Sequence, residues 1–265
     1  MMLKKYFGAI LIGIFLLGCE KEIQLALDPN QSLLVIDGSI TDEAGPYYIK
    51  LSKSTGISES SNFLAVTNAL VIVRDNLGQV DTLKHEKEGQ YKTNKIKGIY
   101  GNTYYLEVQV EEKKYTANAT MPQKVALDSL RINPFPVNNE IRYSVIPVYT
   151  DPIQLGNSYR FIQKINDTLD QTFHVFNDNL NNGKANQRPL RGGSDSLEVK
   201  LNDIVAVEMQ CITRPIYLYY YTLYQQSGAG PGGGTTPSNP PTNIIGGALG
   251  IFSAHTVQRK QVVIK

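Results

Sequence analysis

The segment from Tyr104 to Glu111 alternates apolar and polar side chains without interruption. Tyr104, Leu106, Val108 and Val110 share one face of the pattern, and mostly polar side chains occupy the other. Successive side chains of a β-strand point to opposite sides, so this period of two predicts a strand with one buried and one solvated face. Shorter segments of the same kind recur at roughly ten-residue intervals from residue 33 onward, separated by turn formers. We therefore expect a β-sandwich domain at 33–122.

Residues 123–265 continue the β pattern and predict a second β-rich domain. Strands are expected at 141–146, 159–164, 172–176, 197–201, 204–213 and 261–264. Two segments poor in apolar residues predict loops: an exposed one at 177–196, rich in Asn and Gly, and a flexible Gly/Pro-rich one at 227–243. Gly246, Gly247 and Gly250 predict bulges or close backbone approach in the apolar stretch that follows.

One segment breaks the β pattern and predicts a short helix at Pro215–Gln226, with a strand as the alternative. A proline suits the first turn of a helix, where its missing N–H is not needed. Tyr217, Tyr220, Tyr221 and Tyr224 stand at i, i+3, i+4 and i+7 and so share one helical face. Tyrosine combines a large apolar ring with a hydroxyl, which suits interfaces, so this face is the candidate binding surface. The alternative is that the same rings pack on the second domain as core.

The N-terminus has the layout of a secretory signal. A basic pair, Lys4-Lys5, precedes an uncharged run too short to span a bilayer, which takes about 20 apolar residues. Leu16-Leu17-Gly18-Cys19 resembles the bacterial lipobox, in which the cysteine becomes the first mature residue and carries acyl chains. We expect a lipoprotein signal peptide at 1–18, lipidation of Cys19 and a tether at 19–32. The alternative is an ordinary signal peptide cut elsewhere, with Cys19 incidental.

A lipidated Cys19 would hold the protein on a membrane, because two or more buried acyl chains bind durably. Glu20 and Glu22 follow directly and resemble the acidic signal by which Bacteroidota export lipoproteins to the cell surface. We therefore expect a lipid-anchored outer-membrane protein, with surface exposure as the further expectation. Loss of Lys4 and Lys5 with the signal would leave as many basic residues as the 24 acidic ones. No nucleic-acid partner is expected, since such binding requires a basic patch.

The sequence shows no metal-binding motif. His85, His174 and His255 lie far apart, without the spacing of zinc ligands. Residues 177–183 are rich in Asn, but Leu180 stands where a helix-loop-helix calcium site needs a ligand. A weaker calcium site on this exposed loop is the alternative to our prediction of no bound metal.

Motifs for nucleophilic catalysis and for phosphate binding are missing as well. No Gly-x-Ser-x-Gly occurs, and Gly232-Gly233-Gly234 lacks the Gly-Lys-Ser/Thr ending of a phosphate loop. Cys211 continues an apolar alternation and has no partner if Cys19 carries lipid, so we predict a small buried hydrophobic residue there. We therefore predict no catalytic residues and no cofactor.

Three stretches together resemble one family: the lipobox, Val35–Asp42 and the ending Asn243–Ala254. It is the Bacteroidota outer-membrane lipoprotein family known as domain-of-unknown-function family 4249. The resemblance implies a β-rich, outer-membrane-anchored protein whose relatives are often encoded beside TonB-dependent receptors, and it supplies no catalytic residues. Motifs within 71–106 are also similar to immunoglobulin-like and transthyretin-like modules, which implies that form for the predicted sandwich.

These expectations lead to one main hypothesis and two alternatives. The main hypothesis is a non-enzymatic accessory binding protein that works with a TonB-dependent outer-membrane receptor in nutrient capture. A cell-surface adhesin or structural module is the first alternative, because tethered β-sandwiches serve that role equally well. A hydrolase with a loop-built site is the weaker alternative, motivated by the long loops alone.

Overall fold

The computed structural model of the chain describes residues 32–54, 63–179, 182–191, 197–227 and 238–265. The predicted mainly β class is confirmed, because these ranges form 17 strands and a single α-helix. The predicted signal peptide, Cys19 and nearly all of the predicted tether lie outside the described residues, as does most of the Gly/Pro-rich loop. Within the described ranges, no helix combines the length and hydrophobicity that crossing a membrane requires.

Several of the strands have one buried and one more exposed face. In chain order they are β1 (Leu34–Thr41), β2 (Tyr48–Lys53), β3 (Leu64–Ala65), β4 (Leu70–Asp75), β5 (Val80–Thr82), β6 (Lys84–Lys87), β7 (Gln90–Lys92), β8 (Thr103–Val110), β9 (Lys113–Thr120), β10 (Ser129–Val137), β11 (Glu140–Val148), β12 (Ser158–Ile165), β13 (Thr168–Leu169), β14 (His174–Asn177), β15 (Ile204–Ile212), β16 (Ile244–Ile245) and β17 (Leu249–Val263). The helix, α1 (Arg214–Gln226), lies between β15 and β16.

The larger sheet has ten strands, and its main path runs β13-β12-β15-β17-β1-β2-β7-β6. Off this path, β14 pairs with β12 and β3 pairs with β2. β1 lies inside the sheet, parallel to β17 and antiparallel to β2. The first described strand is therefore hydrogen-bonded to the last one, and strands from both sides of residue 123 share this sheet.

A five-stranded sheet, in the order β16-β9-β8-β4-β5, and a two-stranded hairpin, β10-β11, complete the described architecture. Buried side chains of the five-stranded sheet and of β1, β2, β7 and β17 form the first core. The alternation predicted at 104–111 is confirmed, because Tyr104, Leu106 and Val108 are at most 2% exposed. Whether this region has an immunoglobulin-like or transthyretin-like form stays a prediction.

A second core lies among β11, β12, β15 and the segments around them. Its largest members are aromatic, with Tyr149, Tyr159, Phe161 and Phe176 in ring contact. A smaller cluster beneath α1 joins Val175 of β14 to apolar residues of β15, β17 and the helix. The helix is thus held by its own group of buried residues on the larger sheet.

The glycines that follow the Gly/Pro-rich loop allow the backbone to approach closely, as predicted. Gly250 has φ +95°, and a Cβ at this position would lie 2.1 Å from the carbonyl oxygen of Ile36. That oxygen belongs to β1, so the contact lies within the parallel β1–β17 pairing. A side chain at position 250 would therefore push these two strands apart.

Two predictions for the second half of the chain are wrong. Residues 197–201 form one isolated bridge to β11 and no strand. The described part of 177–196 is not exposed throughout, because Asp178, Asn186 and Leu190 are buried. The side-chain amide of Asn186 donates to Pro147 O at the end of β11 and also to Arg188 O within its own segment.

Candidate binding surface

The predicted helix is confirmed as α1, and its ends show why it forms there. Thr213 precedes it in extended conformation, and Pro215 occupies the first turn, where no N–H is required. At the other end, Ser227 N–H donates to Leu223 O at 3.0 Å and closes the last turn. The helix packs on β12, β14 and β17, so its position on the larger sheet is fixed from three strands.

Three of the four predicted tyrosines form a row of neighbouring rings along the helix. The rings of Tyr217 and Tyr221 stack with centroids 5.5 Å apart, and Tyr224 follows at 6.4 Å from Tyr221. Tyr217 is only 7% exposed, and its hydroxyl accepts a hydrogen bond from the amide of Asn177 at 3.1 Å. The alternative interpretation, in which the rings pack as core, therefore holds for Tyr217. Tyr220 and Tyr221 are partly buried against the same cluster, and Tyr224 keeps partial exposure.

The fourth predicted residue, Tyr220, belongs to a different group. The guanidinium carbon of Arg160 lies 3.8 Å from its ring centroid, a cation–π arrangement. Tyr219 meets the Tyr220 ring edge-on at 5.2 Å, and Phe173 lies 6.1 Å away. Burial raises the pKa of Tyr219 to about 12 and also raises that of Tyr220, so both hydroxyls stay neutral donors.

Polar side chains continue from Arg160 across the same region of the sheet. Arg160 Nη1 donates to Gln210 Oε1 at 3.3 Å. Ser253 Oγ and His255 Nδ1 lie 2.9 Å apart on β17, and both residues are buried. Burial, assisted by the nearby Arg160, lowers the pKa of His255 to about 4, so this imidazole is neutral at pH 7. Because the pair has almost no solvent access, it acts as an internal polar contact in this structure.

A shallow cavity of about 240 Å³ opens beside this group, between β1, β2 and β7. Asp37, Tyr48 and Lys50 contribute its charged and aromatic lining, and all three are exposed. Desolvation raises the pKa of Asp37, whereas Arg160 and Lys50 act in the opposite direction. The charge of Asp37 in turn acts on the hydroxyl of Tyr219, so the cavity and the helix share one electrostatic environment.

We call this region the helix-side surface and define it by six residues: Asp37, Tyr48, Lys50, Arg160, Tyr219 and Tyr220. Only Tyr220 of this set was a predicted site residue. A usable signal was present at position 160, where an arginine lies on the polar side of an alternating strand. Nothing in the sequence indicated that β1 and β2 would lie near the helix. The surface offers two cationic side chains, a carboxylate and three tyrosine hydroxyls.

A second open cavity, of about 760 Å³, lies where β5, β6 and β7 meet. Its lining is polar and includes Lys84, Lys92, Lys95 and His85. The carboxylate of Asp81 is also present, but it is 2% exposed and accepts main-chain N–H groups of residues 94–96. We call this region the lysine cavity.

The three histidines are not brought together. His85 contacts Tyr91, His174 lies 3.7 Å from Asp170, and His255 contacts Ser253. Across the part of the chain that the structure describes, no three His, Cys, Asp or Glu residues are grouped as metal ligands.

Cys211 is free and 3% exposed, so the prediction of a small buried residue is confirmed. Its sulfur accepts the N–H of Val125 at 3.3 Å, which ties β15 to the segment that begins the second core. Burial raises the pKa of this thiol and so disfavours the reactive thiolate.

The described residues thus define a mainly β protein that carries an aromatic helix on its larger sheet. A family model described as "Domain of unknown function (DUF4249)" matches residues 20–261. The match covers most of the sequence, and the chain belongs to this family, as its motifs predicted. No curated protein matches the chain.

Proposed function

We propose that the protein is a non-enzymatic, lipid-anchored outer-membrane protein that works beside a TonB-dependent receptor in nutrient capture. The lipobox ending at Cys19 supports the anchor, and the acidic residues after it support exposure at the cell surface. Membership of the family supports the receptor as a partner, through the gene neighbourhood that the resemblance implies. The helix-side surface is the part of the protein that meets the partner.

The observation that carries this assignment is the combination of Arg160, Tyr219 and Tyr220 on one partly exposed patch. Tyrosine and arginine are enriched among the residues that dominate protein–protein binding energies. Here the arginine is already ordered by the Tyr220 ring and by Gln210, so little side-chain entropy is lost when a partner binds. The patch is therefore preorganised for contact.

The size of the adjoining cavity favours a large partner over a small enclosed ligand. Cavities that enclose drug-sized ligands usually measure about 300–1,000 Å³. The cavity lined by Asp37 and Lys50 has about 240 Å³ and is open, so it suits a protruding side chain or loop of a partner protein. The lysine cavity is larger but lacks an aromatic cluster comparable to the one around Tyr220.

The test compares charge reversals on the two surfaces in the full chain. Lys50→Glu lies on the helix-side surface, and Lys84→Glu in the lysine cavity is the matched control, because both lysines are exposed strand residues. Each protein is isolated from detergent-solubilised outer membranes, and β-barrel proteins that co-purify are identified by mass spectrometry. We expect a TonB-dependent receptor with the wild type and with Lys84→Glu, and loss of it with Lys50→Glu.

Two results would contradict the proposal. If no β-barrel receptor co-purifies with the wild-type protein, the proposed partnership is wrong. Equal recovery with Lys50→Glu, or loss with Lys84→Glu alone, would show that the helix-side surface is not the contact. Thermal unfolding of all three proteins checks that neither substitution acts through stability, since exposed changes usually alter it by less than about 0.5 kcal/mol.

A further inference from the structure

Two parts of the chain away from the helix-side surface run side by side: residues 151–157, and residues 178–179 with 182–184. Main-chain N–H groups of Asp151 and Asp178 donate across the gap at 3.0 and 3.2 Å. The side-chain amide of Asn182 donates to the opposite main chain at 3.0 Å. Asp151, Asp178 and Asn182 are therefore brought to one place by segments that are far apart in sequence.

Oxygen atoms without partners remain at this place. Asp151 accepts the hydroxyl of Tyr159 at Oδ1 and receives a main-chain N–H from Gly183, but its Oδ2 has no partner among the described residues. Within the same described ranges, Oδ1 of Asn182 is buried without a hydrogen-bond partner as well. Asp151 is 2% exposed and Asp178 is 4% exposed, so bulk water does not reach either carboxylate freely.

No charged side chain among the described residues pairs with either carboxylate, although Asp178 Oδ2 accepts the main-chain N–H groups of Gly156 and Asn157. None of the ion pairs between described residues includes Asp151 or Asp178. A buried carboxylate oxygen without a partner is unfavourable, and at Asp151 Oδ2 either a proton or a cation would relieve this. Burial, together with the like charge of Asp178, raises the pKa of Asp151, which is the electrostatic condition that a bound cation would relieve.

We propose that Asp151, Asp178 and Asn182 form a binding site for a divalent oxygen-preferring cation, with Ca²⁺ as the cation of choice. Ca²⁺ accepts carboxylate, amide and main-chain oxygens together and tolerates irregular geometry. Mg²⁺ requires near-ideal octahedral geometry and keeps several waters, which a site buried between two chain segments accommodates poorly. The site lies at the base of the loop that the sequence offered as a weaker calcium site.

A bound cation would join the two segments by their side chains in addition to their main-chain hydrogen bonds. Tyr159 belongs to β12 and the second core, so the site would also connect Asp178 and Asn182 to the centre of that core. The cation would therefore act as a structural clamp, and its removal would loosen the loop before it unfolds the sheet.

Terbium luminescence provides a direct assay, because Tb³⁺ replaces Ca²⁺ and is excited by nearby tyrosine. The chain contains no Trp, and the Tyr159 ring lies at the site with Tyr149 4.7 Å from it. In the full chain purified in detergent and treated with chelator, we expect saturable tyrosine-sensitised emission that added Ca²⁺ displaces. Asp151→Asn should weaken Tb³⁺ binding by at least about tenfold, since even indirect partners of a metal are worth that much.

Asp167→Asn is the matched control, because it makes the same chemical change at an exposed turn residue. Asn182→Ala is the second variant; it keeps both carboxylates and should also weaken Tb³⁺ binding if Asp151→Asn fails to fold. Ca²⁺ should raise the melting temperature of the wild type and of Asp167→Asn, but not that of Asp151→Asn. Emission that does not saturate, or that is equal in Asp151→Asn and Asp167→Asn, would overturn the proposal in favour of a protonated Asp151.

Discussion

Asp42 is the residue whose replacement tests the architecture most directly, because its carboxylate joins three parts of the chain. Oδ1 accepts the main-chain N–H of Val257 on β17 at 2.7 Å. Oδ2 accepts the ammonium group of Lys124 at 2.8 Å and the hydroxyl of Tyr100 at 3.0 Å. Asp42 therefore holds the end of β1, the last strand and the start of the second core together.

The loss in the free energy of unfolding expected from replacing Asp42 can be estimated contact by contact. A buried N–H bonded to a charged acceptor contributes about 1.5–3 kcal/mol, and a partly exposed ion pair about 0–1 kcal/mol. Tyr100 and Lys124 keep solvent access, so water replaces Asp42 for both of them at little cost. We expect Asp42→Ala to lower the free energy of unfolding by about 2–4 kcal/mol, and Asp42→Asn, which retains an acceptor for Val257, by less.

The same contacts predict how stability depends on pH. Burial alone would raise the pKa of Asp42, but the hydrogen bonds from Lys124, Val257 and Tyr100 outweigh it and lower the pKa from its ordinary value of 3.8. A carboxylate whose pKa is lower in the folded state stabilises the protein at pH values above its unfolded-state pKa. This stabilisation is lost as the pH falls through the folded-state pKa. The stability difference between wild type and Asp42→Asn should therefore be full at pH 6 and shrink below about pH 4.

Urea unfolding of the full chain, followed by circular dichroism at pH 6 and at lower pH, measures both effects. Asp128→Ala is the control, since Asp128 is exposed and its replacement should change stability by less than about 0.5 kcal/mol. An Asp42→Ala protein as stable as this control would refute the account of the contacts. A wild-type advantage that grows on acidification would refute the pKa argument.

Three further outcomes are expected. Cys19→Ala should lose its lipid and leave the outer-membrane fraction, and membrane fractionation with mass spectrometry decides this; an outer-membrane location of the mature variant would contradict the anchor. Gly250→Ala should lower the melting temperature more than Gly247→Ala does, because both glycines have positive φ but only a Cβ at 250 meets the Ile36 oxygen; equal losses would refute the steric argument. Cys211 should react with maleimide only after urea unfolding, and rapid labelling of the native chain would contradict its burial.

Much of the fold was predictable because the sequence patterns that indicate its strands and helix are local. The alternation at 104–111 and the tyrosine spacing of α1 depend on residues that are close in sequence, and both predictions are confirmed. Strand β10 was missed because Pro134 and Pro136 argue against a strand. β10 forms in a two-stranded sheet, where each strand pairs on one side only. A strand of this kind donates fewer main-chain hydrogen bonds than a central strand and therefore tolerates proline.

The candidate site was predicted only in part because its residues meet through tertiary packing. Tyr220 carried a helical signal, but its contact with Arg160 depends on α1 folding back onto β12. Asp37 and Lys50 reach the same region because β17 lies between β15 and β1, a pairing that no local pattern encodes. The burial of Asp178 was missed for a related reason, since a polar composition says nothing of the main-chain groups that a side chain will bind.

The parallel pairing of β1 with β17 also bears on how the protein is made. The contact between Asp42 and Val257 spans 215 residues of sequence. Contacts between residues so distant form late, since long loops are slow to close. During synthesis from the amino end, one side of β1 would therefore stay unpaired until β17 has been made. That waiting interval is when self-association through the open edge is most favourable, and a chaperone would protect the protein best by covering β1 during it.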